Sequence, residues 1–503
     1  MVVADALWSN ERALAGESLA PNSVAADAFA YRLHNLNDEQ WVKHTLGAAL
    51  EEMAGSPVKV ATFQIEHCHV SPERSINVAL SVGLRTHPFG EPVPRRLSCT
   101  MWPSVETARQ QFDIEARRLE PTFADASREL RGFARLMVLL PHLAMVVRLF
   151  PVDPELVGLL PATNVTDILP LLDSHLHACR GEGWHARDLQ SEVVDYKPGR
   201  VCTLRYEVGL SRPFAPDTRT QEVYGFVYRD DQWRSSFAFQ HACWEAASRS
   251  DGVWRTARPI AALPAWRSSL QEAVSGRRFD HVLDELTGND VSEADVSQAE
   301  DHLWAVARAI RSLQRAPILL GPRCDVGSLL ASLERNLPYL QRSEPALADE
   351  LTRLARELVL LEATIPAMRL GPAHGSFSHD NVLIDEDDDG VGIVDFDRAG
   401  QAEPVRDVAH FLTHFCLFGI RHPERRHHAR RLGETFRAAY LEVAPEVSSA
   451  RLSLYEALDL TSEVVRTFRE QGHQAHCLPW AQGLTEAAWS RLRQAGTDAG
   501  SLS

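Results

Sequence analysis

The densest run of chemically competent side chains is Ala373-His-Gly-Ser-Phe-Ser-His-Asp-Asn-Val-Leu-Ile384, followed shortly by Gly392-Ile-Val-Asp-Phe-Asp-Arg-Ala399. Imidazoles and carboxylates such as His379 and Asp380 are the groups that act as general bases, whereas a neutral serine such as Ser376 cannot near pH 7. The apolar runs Asn381–Ile384 and Val391–Asp395 flank the acidic stretch Asp385-Glu-Asp-Asp-Asp-Gly390. That pattern reads as a hairpin with a solvated turn rather than as a metal site. His410 and His414 lie four residues apart on a helical stretch, a spacing that can bind zinc, but no third ligand accompanies them. His422, His427 and His428 sit among five arginines between Arg421 and Arg431 and read as a solvated helix face. The eight cysteines include no C-x-x-C pair, so reduced, mostly buried thiols are expected, with neither a disulfide framework nor a zinc site.

The two segments together resemble the catalytic core of the aminoglycoside/choline phosphotransferase family, His-Gly-Asp-x4-Asn, a short hairpin, then Ile-Asp-Phe/Trp. This chain supplies His374, Gly375, Asn381, Asp395 and Phe396 at matching spacing, and Pro404-Val-Arg-Asp407-Val-Ala resembles the family's Asp-Pro-x-x-Asp-Leu-Ala helix start. The resemblance implies an α+β, bilobal protein-kinase-like fold, with an antiparallel-sheet small lobe and a helical large lobe. ATP and Mg2+ are the cofactors it implies. Magnesium takes oxygen ligands, and by resemblance these are Asn381 and Asp395.

Two positions depart from the family's pattern. The aspartate that orients and deprotonates the acceptor hydroxyl is replaced by Ser376, with Asp380 and His379 as the neighbours that could stand in; His379 is read as a loop surface residue. Loss of such a base typically slows catalysis by ~10²–10⁴-fold. In the small lobe, relatives carry Gly-Lys-x-Tyr on the third strand, the lysine gripping the nucleotide phosphates. Here Tyr224-Gly-Phe-Val-Tyr-Arg229 puts Phe226 at the lysine position. Lys197 and Arg200, in a Lys-Pro-Gly-Arg turn, and Arg205 on the next strand are the cations left for the phosphate side.

The elements around this core follow from hydrophobic spacing. Val58–Ile65, Ser75–Leu84 and Arg96–Trp102 read as a meander of strands, with a helix over Ser104–Leu119 and further apolar structure over Leu136–Leu149. The same grammar returns in Val193–Tyr196, Val201–Leu210 and Glu222–Arg229. At an offset of 126 residues Pro72, Arg74, Val82, Gly83 and Leu84 meet identical residues, which suggests duplication of a β-rich module. In that alignment Thr100 stands where Phe226 does. Beyond Gly276, helical spacing dominates: Val296–Gln314, Ser328–Leu340, Leu347–Leu361, Arg406–Phe418, Arg426–Leu441 and Leu452–Gln471. The expected organisation is an N-terminal α+β module over 1–180 that repeats the small lobe, the small lobe itself over 181–276, and the large lobe over 277–503. Residues 1–40 are expected to add a helix or two.

At 503 residues the chain exceeds what one hydrophobic core usually serves, so several domains are expected. A formal charge of −16 excludes the nucleic-acid binders, which need a basic surface. No signal peptide or membrane-spanning stretch is read, and a cytoplasmic location is expected. Two functions fit these features. One is a degenerate kinase that binds or regulates a protein or peptide partner. The alternative is an active ATP-dependent phosphotransferase on a hydroxyl of a small molecule, or of Ser/Thr in a natural-product precursor peptide.

Overall fold

The computed structural model describes residues 38–71, 75–85, 91–119, 130, 133–213, 217–286, 291–385, 390–471 and 477–500. They form two compact units: residues up to 168 with 193–203 and 468–478, and residues 169–192, 204–467 and 479 onward. No described helix is long and apolar enough to cross a membrane. All eight cysteines are free thiols, five of them buried.

The first unit begins with α1 (Glu39–Ala54), whose start is set by Asp38 accepting from the backbone N–H groups of Gln40 and Trp41, both at 3.0 Å. Its apolar face, Val42, Leu46, Leu50 and Met53, is buried. Strands β1 (Lys59–Ser71), β2 (Ser75–Arg85) and β3 (Val93–Met101) lead into α2 (Val105–Leu119), then β4 (Met137–Leu140) and β5 (Met145–Leu149), in sheet order β1-β2-β3-β5-β4. Beneath the sheet a buried Arg148 donates to both Glu115 oxygens, at 2.7 and 2.8 Å, and to Thr100 Oγ1 at 2.9 Å. The bidentate geometry and the third bond are what let a charge pair persist in an apolar interior.

After α3 (Val165–His175) and α4 (His177–Gly181) comes a second sheet of the same plan. Strands β6 (His185–Lys197), β7 (Val201–Ser211) and β8 (Thr218–Tyr228) precede α5 (Gln232–Ala247) and the two-residue β9 (Trp254–Arg255). The hairpin β10 (Pro259–Leu263) and β11 (Ser268–Glu272) completes the order β10-β11-β8-β7-β6. Each sheet's final hairpin turns through a 3₁₀ segment opened by proline, Pro141–Leu143 and Pro264–Trp266, and closed by a residue at φ 48°, Ala144 and Arg267. In each, the carbonyl of that residue accepts from the backbone N–H just beyond the third strand or at its end (Trp102 and Tyr228), at 2.9 Å in both cases. Glycines Gly83 and Gly209 also play one part: a Cβ there would lie 2.5 Å from Thr62 Oγ1 or 2.2 Å from Asp188 Oδ1. Thr100 pairs with Val146 and Phe226 with Ser269, so these two residues hold corresponding places. The two sheets thus share strand order, helix placement and turn type. Arg74 lies outside the described residues.

Strand β12 (Arg277–Arg278) and α6 (Phe279–Glu285) lead into the helical part. There α7 (Glu293–Arg315), opened by a Ser292/Asp295 capping box, is followed by β13 (Arg323–Cys324), α8 (Val326–Ser343) and α9 (Pro345–Glu362). Short strands β14 (Gly371–Ala373), β15 (Val382–Ile384), β16 (Val391–Ile393) and β17 (Gly400–Ala402) then precede α10 (Val405–Arg421), α11 (Arg426–Val443), α12 (Ser449–Gln471) and α13 (Cys477–Gly500). They build two small sheets, β12-β15-β16-β9 and β13-β17-β14. Each small sheet contains one parallel pair, β16 with β9 and β13 with β17; the fold is α+β, two five-stranded sheets followed by a mostly helical part. The expected hairpin is present but shorter than its apolar runs. Helix α13 is not among the expected helices. Pro479 falls in the first turn, where its missing N–H is not needed. The helices expected within residues 1–37 lie outside the described residues.

Candidate functional site

The loop between β14 and β15 is held by a single buried carboxylate. Asp407, in the first turn of α10, accepts the backbone N–H of His374 at 2.7 Å and of Gly375 at 2.8 Å. Gly375 stands at φ 84°, and a Cβ on it would lie 2.0 Å from the Arg398 carbonyl oxygen, so only glycine fits this turn. The fully buried His374 ring places Nε2 2.8 Å from the Val394 carbonyl, while Nδ1 faces the Ser376 N–H at 3.4 Å. Nε2 therefore carries the hydrogen and donates it. The ring also packs on Phe396, centroids 4.8 Å apart. One histidine thus ties the loop to the segment that runs from β16 to Asp395.

Asn381 spends its amide hydrogens inside the loop, on the Ser376 carbonyl at 3.0 Å and on Ser378 Oγ at 3.3 Å, which leaves Oδ1 as its remaining acceptor. Its carbonyl accepts the Val394 N–H at 3.1 Å, which sets Asn381 beside the residue preceding Asp395. Asp395 has φ 68°, a left-handed backbone uncommon outside glycine, and its half-buried carboxylate has no partner among the described residues. Amide and carboxylate oxygens are the donors magnesium takes, so Asn381 and Asp395 fit that ion. Asp380 points elsewhere: it is exposed, and its carboxylate accepts from Ser378 Oγ.

Across the cleft, Phe226 and Tyr228 occupy one face of β8, rings 6.5 Å apart. With Asp395, Phe396, Asp397, Ser236 and Phe237 they line a cavity of about 10 Å³. That is room for roughly one water molecule. Asp397 is tied directly to the sheet side. Tyr228 Oη donates to Asp397 Oδ1 at 2.5 Å and Ser236 Oγ to the same oxygen at 2.9 Å, while Gln232 Nε2 donates to the Asp397 carbonyl at 2.7 Å. Burial, then the Asp397 charge, holds the Tyr228 hydroxyl well above its ordinary pKa, so it stays a donor.

Of the sequence-predicted residues, the structure brings together Ser376, Asn381, Asp395 and Phe226. Arg205 is committed to its own sheet, donating to Glu192 at 2.7 and 3.1 Å and to Glu222 at 2.9 Å. Lys197 pairs with Asp195 at 2.9 Å, and Arg200 closes the turn through its N–H to the Lys197 carbonyl; both belong to the first unit. The expectation that His379 lies on the surface is corrected. Its ring is buried against Phe279, Phe411, Phe415 and His414, where burial pushes its pKa down to about 3. A loop following Gly-Ser-Phe reads as exposed, and only the packing of α6 and α10 shows otherwise. Sequence reasoning also missed Tyr228, Ser236 and Asp397, whose tie spans more than 160 residues.

Residues 227–452, somewhat under half of the chain, match the phosphotransferase enzyme family. No curated protein matches. Similar solved structures include a choline/ethanolamine kinase family protein of Mesorhizobium loti, at 13% identity over 67% of this chain and 98% of that one, TM-score 0.43. A putative aminoglycoside phosphotransferase of Ralstonia eutropha is 14% identical over 66% and 98%, TM-score 0.42. An aminoglycoside phosphotransferase of Streptomyces rimosus bound to ADP and streptomycin is 18% identical over 59% and 97%, TM-score 0.36.

Proposed function

We propose that this chain, whose residues 227–452 form a domain of the phosphotransferase enzyme family, is a kinase-like protein with a departed active site. Its role is to bind or regulate a protein or peptide partner, with efficient phosphoryl transfer lost. The observation that carries this reading is the apolar Phe226 ring lining the same cavity as Asp395. An aromatic ring cannot pair with phosphate oxygens, and Arg205 is already neutralised by two glutamates. Ser376, held in the loop through its carbonyl, supplies no general base.

One observation favours a second reading, an active ATP-dependent phosphotransferase acting on a hydroxyl of a small molecule or of Ser/Thr in a precursor peptide. Asn381 Oδ1 and the Asp395 carboxylate remain suited to a magnesium ion. When bound there, the ion would neutralise phosphate charge. Thermal shift with ATP, with and without Mg2+, separates the readings. A nucleotide at 100 times its dissociation constant stabilises by ~2.7 kcal/mol, which the second reading requires and the first does not. A large Mg2+-dependent shift together with turnover would overturn the first.

A further inference from the structure

Away from the cleft, the outer end of the second sheet carries a basic hollow in a chain of net charge −16. The cavity measures about 360 Å³ and is lined by His175, His177 and Arg180 from α3 and α4, and by Arg258, Pro259 and Glu272 from β10 and β11 with the residue before them. That volume lies within the range of roughly 300–1,000 Å³ usual for small-ligand sites. Neither arginine is in an ion pair among the described residues; the half-buried Arg258 guanidinium lies over Trp244, 5.3 Å from the ring centroid, which orients it without neutralising it. His175 is oriented as well, its Nδ1 lying 2.9 Å from the Leu171 carbonyl and 2.8 Å from Ser174 Oγ, so that Nε2 is the ring nitrogen left for another partner. Glu272 is the one acid of the wall, and Gln221 Nε2 donates to it at 3.3 Å.

We propose that this hollow binds a small organic phosphate. Two guanidinium forks from different elements suit a dianionic tetrahedral group better than a monovalent carboxylate. The Glu272 carboxylate accepts from a hydroxyl or amino group on the ligand's body. The space exceeds what the phosphate group alone fills. Pro259 lines both this hollow and the cleft behind Phe226, so an occupant would press on a strand that the cleft shares. The site is independent of whether the cleft performs phosphoryl transfer.

The test is calorimetric titration of the full chain with ribose 5-phosphate, inorganic phosphate and uncharged ribose, at one ionic strength maintained with sodium chloride. The expected result is saturable binding of ribose 5-phosphate, weaker binding of phosphate and none of ribose. In Arg180→Ala/Arg258→Ala the affinity should fall tenfold or more, while Asp395→Ala leaves it unchanged. Arg180→Ala alone, at an exposed position, gives the same comparison if the double variant does not fold. The proposal is overturned if no phosphate binds saturably, if ribose binds as well as its phosphate, if the arginine variants bind as the wild type does, or if Asp395→Ala abolishes binding.

Discussion

Replacing Tyr228 by phenylalanine removes one atom from the tie across the cleft and leaves the ring that packs beside Phe226. The lost hydroxyl donates at 2.5 Å to a carboxylate oxygen of Asp397. A hydrogen bond to a charged group contributes about 1.5–3 kcal/mol, and Ser236 Oγ continues to donate to the same oxygen at 2.9 Å. The closed arrangement should therefore lose about that much relative to an open one. At 1.4 kcal/mol per factor of ten, the open population rises about 10- to 100-fold. Native-state hydrogen exchange reads this directly, since local opening exposes amides without global unfolding. In Tyr228→Phe the amides of Phe396–Ala399 and of the first turns of α5 should lose protection by that factor, while those of β1 to β5 do not change. Unchanged protection at Phe396–Ala399 would refute the tie as the element that closes the cleft. A uniform loss throughout the second unit would equally refute it, because the hydroxyl would then be an ordinary part of the core.

Asp407→Ala should destabilise the chain by ~2–6 kcal/mol, since two backbone N–H groups would be left buried and unpaired at about 1–3 kcal/mol each; a urea midpoint that barely moves contradicts the brace. Gly375→Ala, which sets a methyl group against the Arg398 carbonyl at a φ of 84°, should cost at least ~2–3 kcal/mol and lower the yield of folded protein. His67 gives a pH dependence: burial, opposed by Asp195 and assisted by Lys197 and Arg200, lowers its pKa from 6.5 to about 4. The unfolded chain then binds more protons between those values, so this residue's contribution is complete above pH 6.5 and is lost as pH falls toward 4. That loss amounts to at most ~3 kcal/mol. Denaturation followed at pH 7 and pH 5 should show a smaller drop in His67→Leu than in the wild type; an equal drop contradicts this assignment.

The motif around His374, Asn381 and Asp395 was legible because its spacing is local: a glycine turn, a hairpin and a helix start lie within forty residues of chain. The common plan of the two sheets was legible for a similar reason. Gly83 and Gly209 sit where a neighbouring strand leaves no room for a Cβ, and such positions keep glycine at a fixed interval. What the sequence hid is what only packing decides. His379 follows polar neighbours, yet its ring enters the aromatic cluster of Phe411 and Phe415. Asp397 reads as one more acid in an acidic segment, but its partners Tyr228 and Ser236 come from another part of the chain. Arg205 looked available to a phosphate because nothing local shows that Glu192 and Glu222 flank it from adjacent strands.

The central claim is that Ser376 and Phe226 together remove phosphoryl transfer from a domain that otherwise retains its scaffold. ATP turnover by the full chain, compared with Ser376→Asp/Phe226→Lys, tests it most directly. The aspartate restores a group that orients and deprotonates a hydroxyl, and the lysine restores a cation beside the phosphates; each alone should do little, since such residues act as a unit. The account predicts wild-type turnover near background and a clear rise in the double variant. Robust wild-type turnover that falls when either residue is changed would contradict it.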